Sequence, residues 1–553
     1  MQPAGRGFGG DEVVCYNRGK LWEMGAKVNS SGRRWFLVAS VVLVIVGSCP
    51  YVVAWAIAPS DAHFTGLLFN PLDGNSYIAK MRQGYDGSWQ FRLPYTSEHQ
   101  DGAPIFLFYL LLGHVARWLH LPLLLVYHLV RIVSGLLMVG AICAFVRQYS
   151  TEAFERRVMA YMAVLGSGFG WLVAFLGLMT ADLWVAEAFP FYAWMVNPHF
   201  PLSMALMVVL GLYGIRVIEQ TAEGSAFQPA GRYVAGMAVT AVLLGVVQPF
   251  GLVGSFGGLG LALVANAMRR ERVPWRAGAW IAAVAVLAAI YPLYMQWTIL
   301  RDPVLAAWNA QNVTESPAIW DWVLSYGIVF ALALLGIWRA VRNRTNTDWF
   351  ILGWLAVTLV GLFAPLQLQR RLSLGLSIPL GLLAGRGWWR AARPRLAGRR
   401  WRVVRGAVLA ACVLTSVFLI LGAVVSAAAG DGRFYLTVAE WQALGWLREC
   451  GDRKVVLCAP ATGIFVPAWG GQPVVYGHPF ETVDAQRRLG EVSAFWGGAM
   501  TQDEQAAFMR DRRVGYVLVG PRERALGNWH PGEVTSLKVV FESSGVYVYE
   551  YVR

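Results

Sequence analysis

Eleven stretches of this chain, near 35–58, 123–146, 158–179, 200–218, 232–248, 250–267, 277–298, 320–338, 348–366, 372–389 and 405–427, are apolar over lengths that cross a bilayer. Backbone groups in hydrocarbon must satisfy one another, so such segments fold as helices. Composition agrees, since only 14% of residues are charged, against about 25% in an ordinary soluble domain. The expected fold is a polytopic α-helical membrane protein of about 11 transmembrane helices, with a cytoplasmic N-terminal tail (1–34), a transmembrane domain (35–429) and an extracytoplasmic α/β domain (430–553). The first stretch, Trp35 to Ala58, is too long for a signal-peptide core and lacks a small-residue cleavage motif, which makes it an anchor.

Charge sets the orientation. The net charge of +14 is concentrated in short basic clusters between apolar stretches, which reads as topology signals and not as a nucleic-acid surface. Loops at 147–157, 216–232, 268–276, 338–347 and 386–405 hold most of them, whereas the opposite loops beyond the second span, up to Arg371, hold only Arg301, Arg370 and Arg371. One further apolar run, Ile105–Leu119, is short and carries His114 and Arg117. Counted as a span it would invert every later loop against the positive-inside rule, so it is assigned to the interface. The N-terminus, with Arg18, Lys20, Lys27, Arg33 and Arg34, then faces the cytoplasm, and an odd number of spans puts the C-terminus outside.

From Gly430 the pattern changes to that of a small α/β domain. The spacing predicts helices over 438–449 and 502–513, strands over 454–458, 515–520, 539–541 and 546–551, and a Gly/Pro-rich surface over 459–480. Cys450 and Cys458 are the plausible disulfide pair, although a helix end and a strand end need not face each other.

Chemistry concentrates in the first outer loop, in NPLDGNSYIAKMRQGYDGSW (70–89). Asp73 precedes a helix on which Tyr77, Ile78, Met81 and Tyr85 recur at helical spacing, an apolar face suited to the bilayer surface. A carboxylate there meets a lipid-linked substrate from one side and a hydroxyl from the other, and can accept the hydroxyl's proton. The plain alternative is a turn with Asp73 as helix N-cap.

An acid early in the first outer loop (Asp73), a following Tyr77, a surface-lying helix 105–119 opened by Pro104, and then a span with Arg131 near its outer end resemble the GT-C superfamily of membrane glycosyltransferases. Its protein O-mannosyltransferase and lipid A aminoarabinose transferase branches come nearest. The resemblance covers about 70–370 as architecture. It implies an inverting enzyme that takes a sugar from a polyprenyl-phosphate carrier, with Asp73 as the catalytic acid–base residue. Many O-mannosyltransferases have Asp-Glu where this chain has Asp73-Gly74, so a second acid, if one is used, comes from elsewhere.

Arg370 and Arg371 oppose the positive-inside bias, which makes them candidates for holding a lipid phosphate; snorkelling to headgroups is the alternative. Arg131 is either a supporting cation or the partner of a loop carboxylate. Glu98, Asp182, Glu187 and His199 are candidates for an acceptor pocket, and Asp182 also for a divalent cation beside Asp73, although no metal-ligand spacing is present. His199, between Pro198 and Pro201, reads equally as a packing residue, and His478 and Glu481 as a polar site in the outer domain or a turn. Trp89, Trp184, Trp194, Trp308 and Trp320 suit either an interfacial belt or sugar stacking. The expected partners are membrane lipids, a lipid-linked donor and an acceptor that is protein, lipid or glycan. Two rivals stand beside the transferase. A transporter or flippase of lipid-linked glycans would place charges at mid-span, where this chain has few. A non-catalytic scaffold or receptor would leave the loop residues dispersed.

Overall fold

A computed structural model describes residues 30–222, 227–392, 398–527, 529 and 536–552. Arg18, Lys20 and Lys27 lie outside the described residues, as do parts of the basic loops at 216–232 and 386–405. The chain divides into two units, Met1–Val44 and Ile45–Arg553.

Among the described residues, fifteen helices of 9 residues or more make up most of the apolar part and the first outer loop. They are α1 (Ser30–Ala56), α2 (Pro71–Tyr85), α3 (Leu107–Trp118), α4 (Leu123–Tyr149), α5 (Ala153–Leu165), α6 (His199–Ala222), α7 (Phe227–Val247), α8 (Phe250–Arg270), α9 (Trp275–Arg301), α10 (Pro303–Gln311), α11 (Ile319–Asn343), α12 (Asn346–Phe363), α13 (Ser377–Gly387), α14 (Gly398–Ala411) and α15 (Leu414–Ala428). Among the described residues, 8 helical segments are long and apolar enough to cross a membrane: α1, α4, the run Ala153–Leu176, α6, α8, α9, α11 and α12. The pair α14 and α15, bent by 43°, makes a ninth if taken as one span. This is a multi-pass membrane protein. All eleven apolar stretches carry helices, but α7 contributes only the shorter apolar segment Gly231–Val247, and α13 has 11 residues. Most of α13 is buried, packed between α5 and α11. A helix enclosed by protein need not match the thickness of lipid.

The run 105–119 becomes α3, 12 residues long and packed along α2. The two backbones touch: a Cβ on Gly84 would run into the carbonyl of Leu110, and one on Gly113 into that of Met81. The apolar face of α2 does not rest on a bilayer surface, as its spacing suggested. Ile78 and Met81 are fully buried in a core that also takes Leu444, Leu447, Val456, Phe465, Trp469 and Tyr516 from the C-terminal segment. Periodicity located that face correctly; what covers it is protein.

The C-terminal segment is tied back to the first loop at its start. Strand β1 (Ala62–Phe64) pairs antiparallel with β2 (Tyr435–Thr437), with Ala62 opposite Thr437, and the Thr65 amide donates to the Phe434 carbonyl at 2.9 Å. Helix α16 (Val438–Glu449) follows, closed by a capping box of Thr437 and Glu440. Then come β3 (Val455–Leu457), α17 (Ala485–Trp496), α18 (Gln502–Asp511), β4 (Val514–Val519), β5 (Leu537–Ser543) and β6 (Val546–Tyr551). The sheet order is β3-β4-β6-β5, parallel between β3 and β4 and antiparallel elsewhere. Cys450 and Cys458 are both free thiols.

The close approach of α2 and α3 predicts that Gly84→Ala destabilises the protein by about 1–3 kcal/mol, since a backbone carbonyl cannot yield as a side chain can. Gly490→Ala, in helix α17 where an added Cβ meets nothing within 4 Å, should be neutral or slightly stabilising. Thermal unfolding in detergent separates the two.

Candidate active site

Helix α2 begins with a cap that differs from the expected one. Asn70, in a left-handed conformation (φ 49°), is the N-cap, Pro71 opens the first turn, and Asp73 lies within it. Asn70 Oδ1 accepts from the Asp73 amide at 3.4 Å, and Asn70 Nδ2 donates to Asp73 Oδ2 at 2.6 Å. The Asp73 carboxylate is therefore not consumed as a cap; it stands at the positive end of a helix that favours its charge. Its other oxygen, Oδ1, faces Nε2 of His478 at 3.5 Å. Protein surrounds Asp73, yet its side chain remains 42% exposed, as befits a carboxylate on the wall of a recess. Burial works to raise its pKa, but His478, Asn70 and the field of Arg371 outweigh burial and hold it at about 2.

Two turns further along α2, Lys80 is 2% exposed and donates to Glu481 Oε1 at 2.7 Å. It also donates to Ser76 Oγ, whose hydroxyl donates to the same carboxylate oxygen at 2.5 Å. Burial pushes the Glu481 carboxyl up, and Lys80 above all, with the Ser76 hydroxyl, brings it below the usual range. Trp469 Nε1 donates to Asn75 Oδ1 at 2.9 Å, so three consecutive turns of α2 engage the C-terminal segment. Tyr77 stacks on Tyr109 of α3 at 4.5 Å, and the Tyr109 hydroxyl hydrogen-bonds His199 Nδ1 at 2.7 Å. Burial, with the negative charge of Asp73 second, raises the Tyr77 phenol well above its ordinary value, so the phenol stays neutral.

The two unexpected arginines sit on one helical turn, Gln369–Ser373, and do different things. Arg370 donates from Nε to Glu187 Oε1 at 3.2 Å and lies 4.8 Å over the Trp184 ring. Arg371 forms no ion pair with a described residue, and its field falls on Asp73, Tyr77 and His199. The structure thus brings Asp73, Tyr77, His199 and Arg371 into one electrostatic neighbourhood. Glu187 and Arg370 stand at its margin, where the carboxylate of Glu187 and that of Asp73 both bear on Tyr192.

Three other candidates lie elsewhere. Arg131 is 2% exposed and donates to the carbonyls of Gly47 and Trp194, to His128 Nδ1 and to Ser48, with Tyr51 under its guanidinium at 4.7 Å. It is a strut between helices, with carbonyls where a loop carboxylate was the expected partner. Asp182 does not reach Asp73: its carboxylate accepts from the amides of Gly168 and Gly170 and from the hydroxyls of Thr180 and Thr415. With three donors on Oδ2 and one on Oδ1, the carboxylate is held by its own surroundings. Glu98 pairs with Arg488 of α17, with Arg512 at 3.9 Å. Among the described residues, no three His, Cys, Asp or Glu side chains converge in a way that would hold a metal ion. Of the candidate stacking rings, Trp194 and Trp308 are buried and Trp184 is partly exposed beneath Arg370.

Sequence reasoning located Asp73 but missed what surrounds it. His478 and Glu481 appeared as a separate polar feature, and Lys80 was not singled out. A lysine on the same helix as the candidate acid, next to an apolar face, was the one local signal. Its partner lies 401 positions away, beyond any spacing argument.

No family model matches the chain, and no curated protein matches its sequence. Its fold does match solved structures. The archaeal oligosaccharyltransferase AglB from Archaeoglobus fulgidus, solved in complex with an inhibitory peptide and a dolichol-phosphate, superposes with a TM-score of 0.54 at 12% identity, over 94% of this chain and 74% of that one. ArnT from Cupriavidus metallidurans bound to undecaprenyl phosphate superposes with a TM-score of 0.53 at 13% identity, over 93% of this chain and 98% of that one. At such identities the likeness speaks of fold alone: this chain shares the fold of these two solved structures.

Two outcomes are expected. A carboxyl whose folded pKa is depressed contributes stability above its unfolded value and loses it as pH falls through the folded one. The stability difference between the parent and Asp73→Asn should therefore be constant near neutrality and shrink as pH falls from about 4 towards 2, in thermal unfolding scans. Glu481→Leu strands the Lys80 ammonium and should destabilise by about 3–5 kcal/mol, whereas the double variant Lys80→Met/Glu481→Leu should recover most of that loss.

Proposed function

We propose that this protein is an inverting glycosyltransferase that moves a sugar from a polyprenyl-phosphate carrier to an acceptor at the extracytoplasmic face of the membrane. The reading rests on one observation above all. An ionised carboxylate, Asp73, sits at the start of a helix within the field of an arginine, Arg371, that no described carboxylate neutralises. Base and anion-binding group thereby lie within electrostatic reach of each other.

In the proposed reaction the acceptor nucleophile attacks the anomeric carbon from the face opposite the carrier. The carbon–oxygen bond to phosphate breaks with its electron pair passing to the phosphate oxygen, and the acceptor's proton passes to Asp73. A single displacement inverts the anomeric configuration. Arg371 stabilises the charge growing on the phosphate, which a guanidinium does with two parallel hydrogen bonds. Arg370, held by Glu187, supports the same turn, and Arg131 acts at a distance by fixing α4. A carboxylate at a pKa of about 2 is a weak proton acceptor. Donor phosphate would correct this, because a second anion beside Asp73 raises its pKa and takes up the charge of Arg371. Tyr77, backed by the buried rings of Tyr109 and His199, keeps exposed surface against which a sugar ring can pack.

The charge bias of the loops supports a cytoplasmic N-terminus and an extracytoplasmic segment 430–553. The likeness to AglB with dolichol-phosphate and to ArnT with undecaprenyl phosphate supports a polyprenyl-phosphate carrier. The flippase alternative finds little support, since the charged cluster gathers outside the spans and not at mid-membrane.

The test is release of polyprenyl phosphate from a panel of polyprenyl-phosphate-linked sugars by the purified full-length chain. Asp73→Asn should lower turnover by about 10²–10⁴-fold, and Arg371→Ala should weaken the donor's apparent affinity as well as turnover. Full turnover by Asp73→Asn would rule the mechanism out.

A further inference from the structure

His478 is supplied by the turn that follows Tyr476, and that turn is locked from several sides. The Thr482 hydroxyl oxygen accepts from the amides of Gly477 and His478 at 3.3 Å each, and the His478 carbonyl accepts from the Thr482 amide at 2.9 Å. The turn lies against segment 459–464 so tightly that a Cβ on Gly477 would collide with the Gly463 carbonyl and stand 2.8 Å from the Tyr95 ring. From helix α10, Trp308 Nε1 donates to the Phe480 carbonyl at 3.0 Å, and Gln311 Nε2 to that of Thr482 at 2.5 Å. The imidazole consequently has little freedom, and it is 1% exposed.

Its tautomer follows from its neighbours. The Phe480 amide donates to His478 Nδ1 at 3.1 Å, so Nδ1 is an acceptor and the ring proton is on Nε2. That N–H is buried and has no hydrogen-bond partner at normal length; the group it faces is Asp73 Oδ1, at 3.5 Å. A buried donor without a partner is unfavourable, because it has lost its water without replacing it. Such an N–H persists where a function uses it, and catalytic hydrogen bonds are commonly long until substrate tightens them. With Asn70 donating to Oδ2, the Asp73 carboxylate has one designated donor for each oxygen. Its remaining lone pairs are left for the recess.

We infer that His478 is a positioning residue for Asp73: its Nε2–H fixes the orientation of the carboxylate, so that the C-terminal segment completes the reaction centre instead of only holding an acceptor. The inference rests on the reading of Asp73 as the proton acceptor. It assigns a role in the reaction to a turn more than four hundred residues from that acid.

Two substitutions of similar polarity separate this role from a structural one. In His478→Gln the side-chain amide nitrogen reaches the place of Nε2, towards Asp73. In His478→Asn the side-chain oxygen reaches the place of Nδ1, where it can accept from Phe480 but cannot reach Asp73. A residue that only builds the turn is better replaced by Asn, and a positioning residue by Gln. Two readouts are taken on the full-length protein in detergent. The first is polyprenyl phosphate release, where His478→Gln should keep about a third or more of parental kcat and His478→Asn should lose about tenfold or more with little change in KM. The second does not depend on transfer: carbodiimide labelling of Asp73 at pH 5, followed by peptide mass spectrometry. His478→Asn should label about threefold or more faster than parent, because loss of the donor favours the protonated carboxyl, and His478→Gln should label like parent.

If the two variants rank in the opposite order, or both label like the parent, the inference fails. Asp73→Asn run alongside keeps the failures apart. Full release by Asp73→Asn overturns the transferase mechanism whatever His478 does. An inactive Asp73→Asn beside an active His478→Asn overturns only the role of His478.

Discussion

An ammonium group that reaches no water must find its counter-charge within hydrogen-bonding distance, and for Lys80 that counter-charge is Glu481. Helix α2 by itself offers Lys80 only Ser76. The ion pair is satisfied when segment 459–482 folds down on α2, and the strand pair β1 and β2 brings that segment into position. Apolar burial supplies the larger driving force, since Ile78 and Met81 share a core with Leu444, Leu447 and Trp469. The ion pair supplies register. A shift of one residue along α2 would leave Lys80 and Glu481 both buried and unpaired. The same register brings His478 to Asp73, so the geometry of the recess is a consequence of how the C-terminal segment seats.

The acids and arginines of the outer loops are sorted by their surroundings, not by their chemistry. Asp182 and Asp73 are the same residue type in similar loop settings, and burial works to raise the pKa of both. Asp182 is enclosed by two backbone amides and two hydroxyls and serves as an internal staple, its pKa raised. Asp73 keeps an open face, takes hydrogen bonding from His478 and Asn70 and feels the field of Arg371, and its pKa falls. The arginines divide likewise. Arg131 gives its donors to backbone carbonyls and a serine, Arg370 to Glu187, and Arg371 to no described carboxylate. Of these side chains, the ones with unspent capacity are Asp73 and Arg371, and they are the pair to which the proposed reaction assigns proton acceptance and phosphate binding.

What depends on solvent and on local spacing is already legible in the amino-acid sequence. Long apolar runs fixed helices in lipid, because no other backbone arrangement is tolerated there. The shift of pattern after Gly430 fixed a small α/β segment, including α16 and the strands at 514–519 and 546–551. The apolar face of α2 and the exceptional position of Asp73 were also legible, since both are local. Tertiary structure decided the rest. That α2 lies beneath protein and not on lipid, that α13 is a short enclosed helix, that Asn70 and not Asp73 caps α2, and that Arg131 and Asp182 are internal ties all depend on contacts between distant segments. So does the meeting of Asp73, Arg371 and His478. Hydropathy records how much of a side chain avoids water, but not which buried surface it meets; a charge records that it needs a partner, but not from which turn of the chain the partner comes.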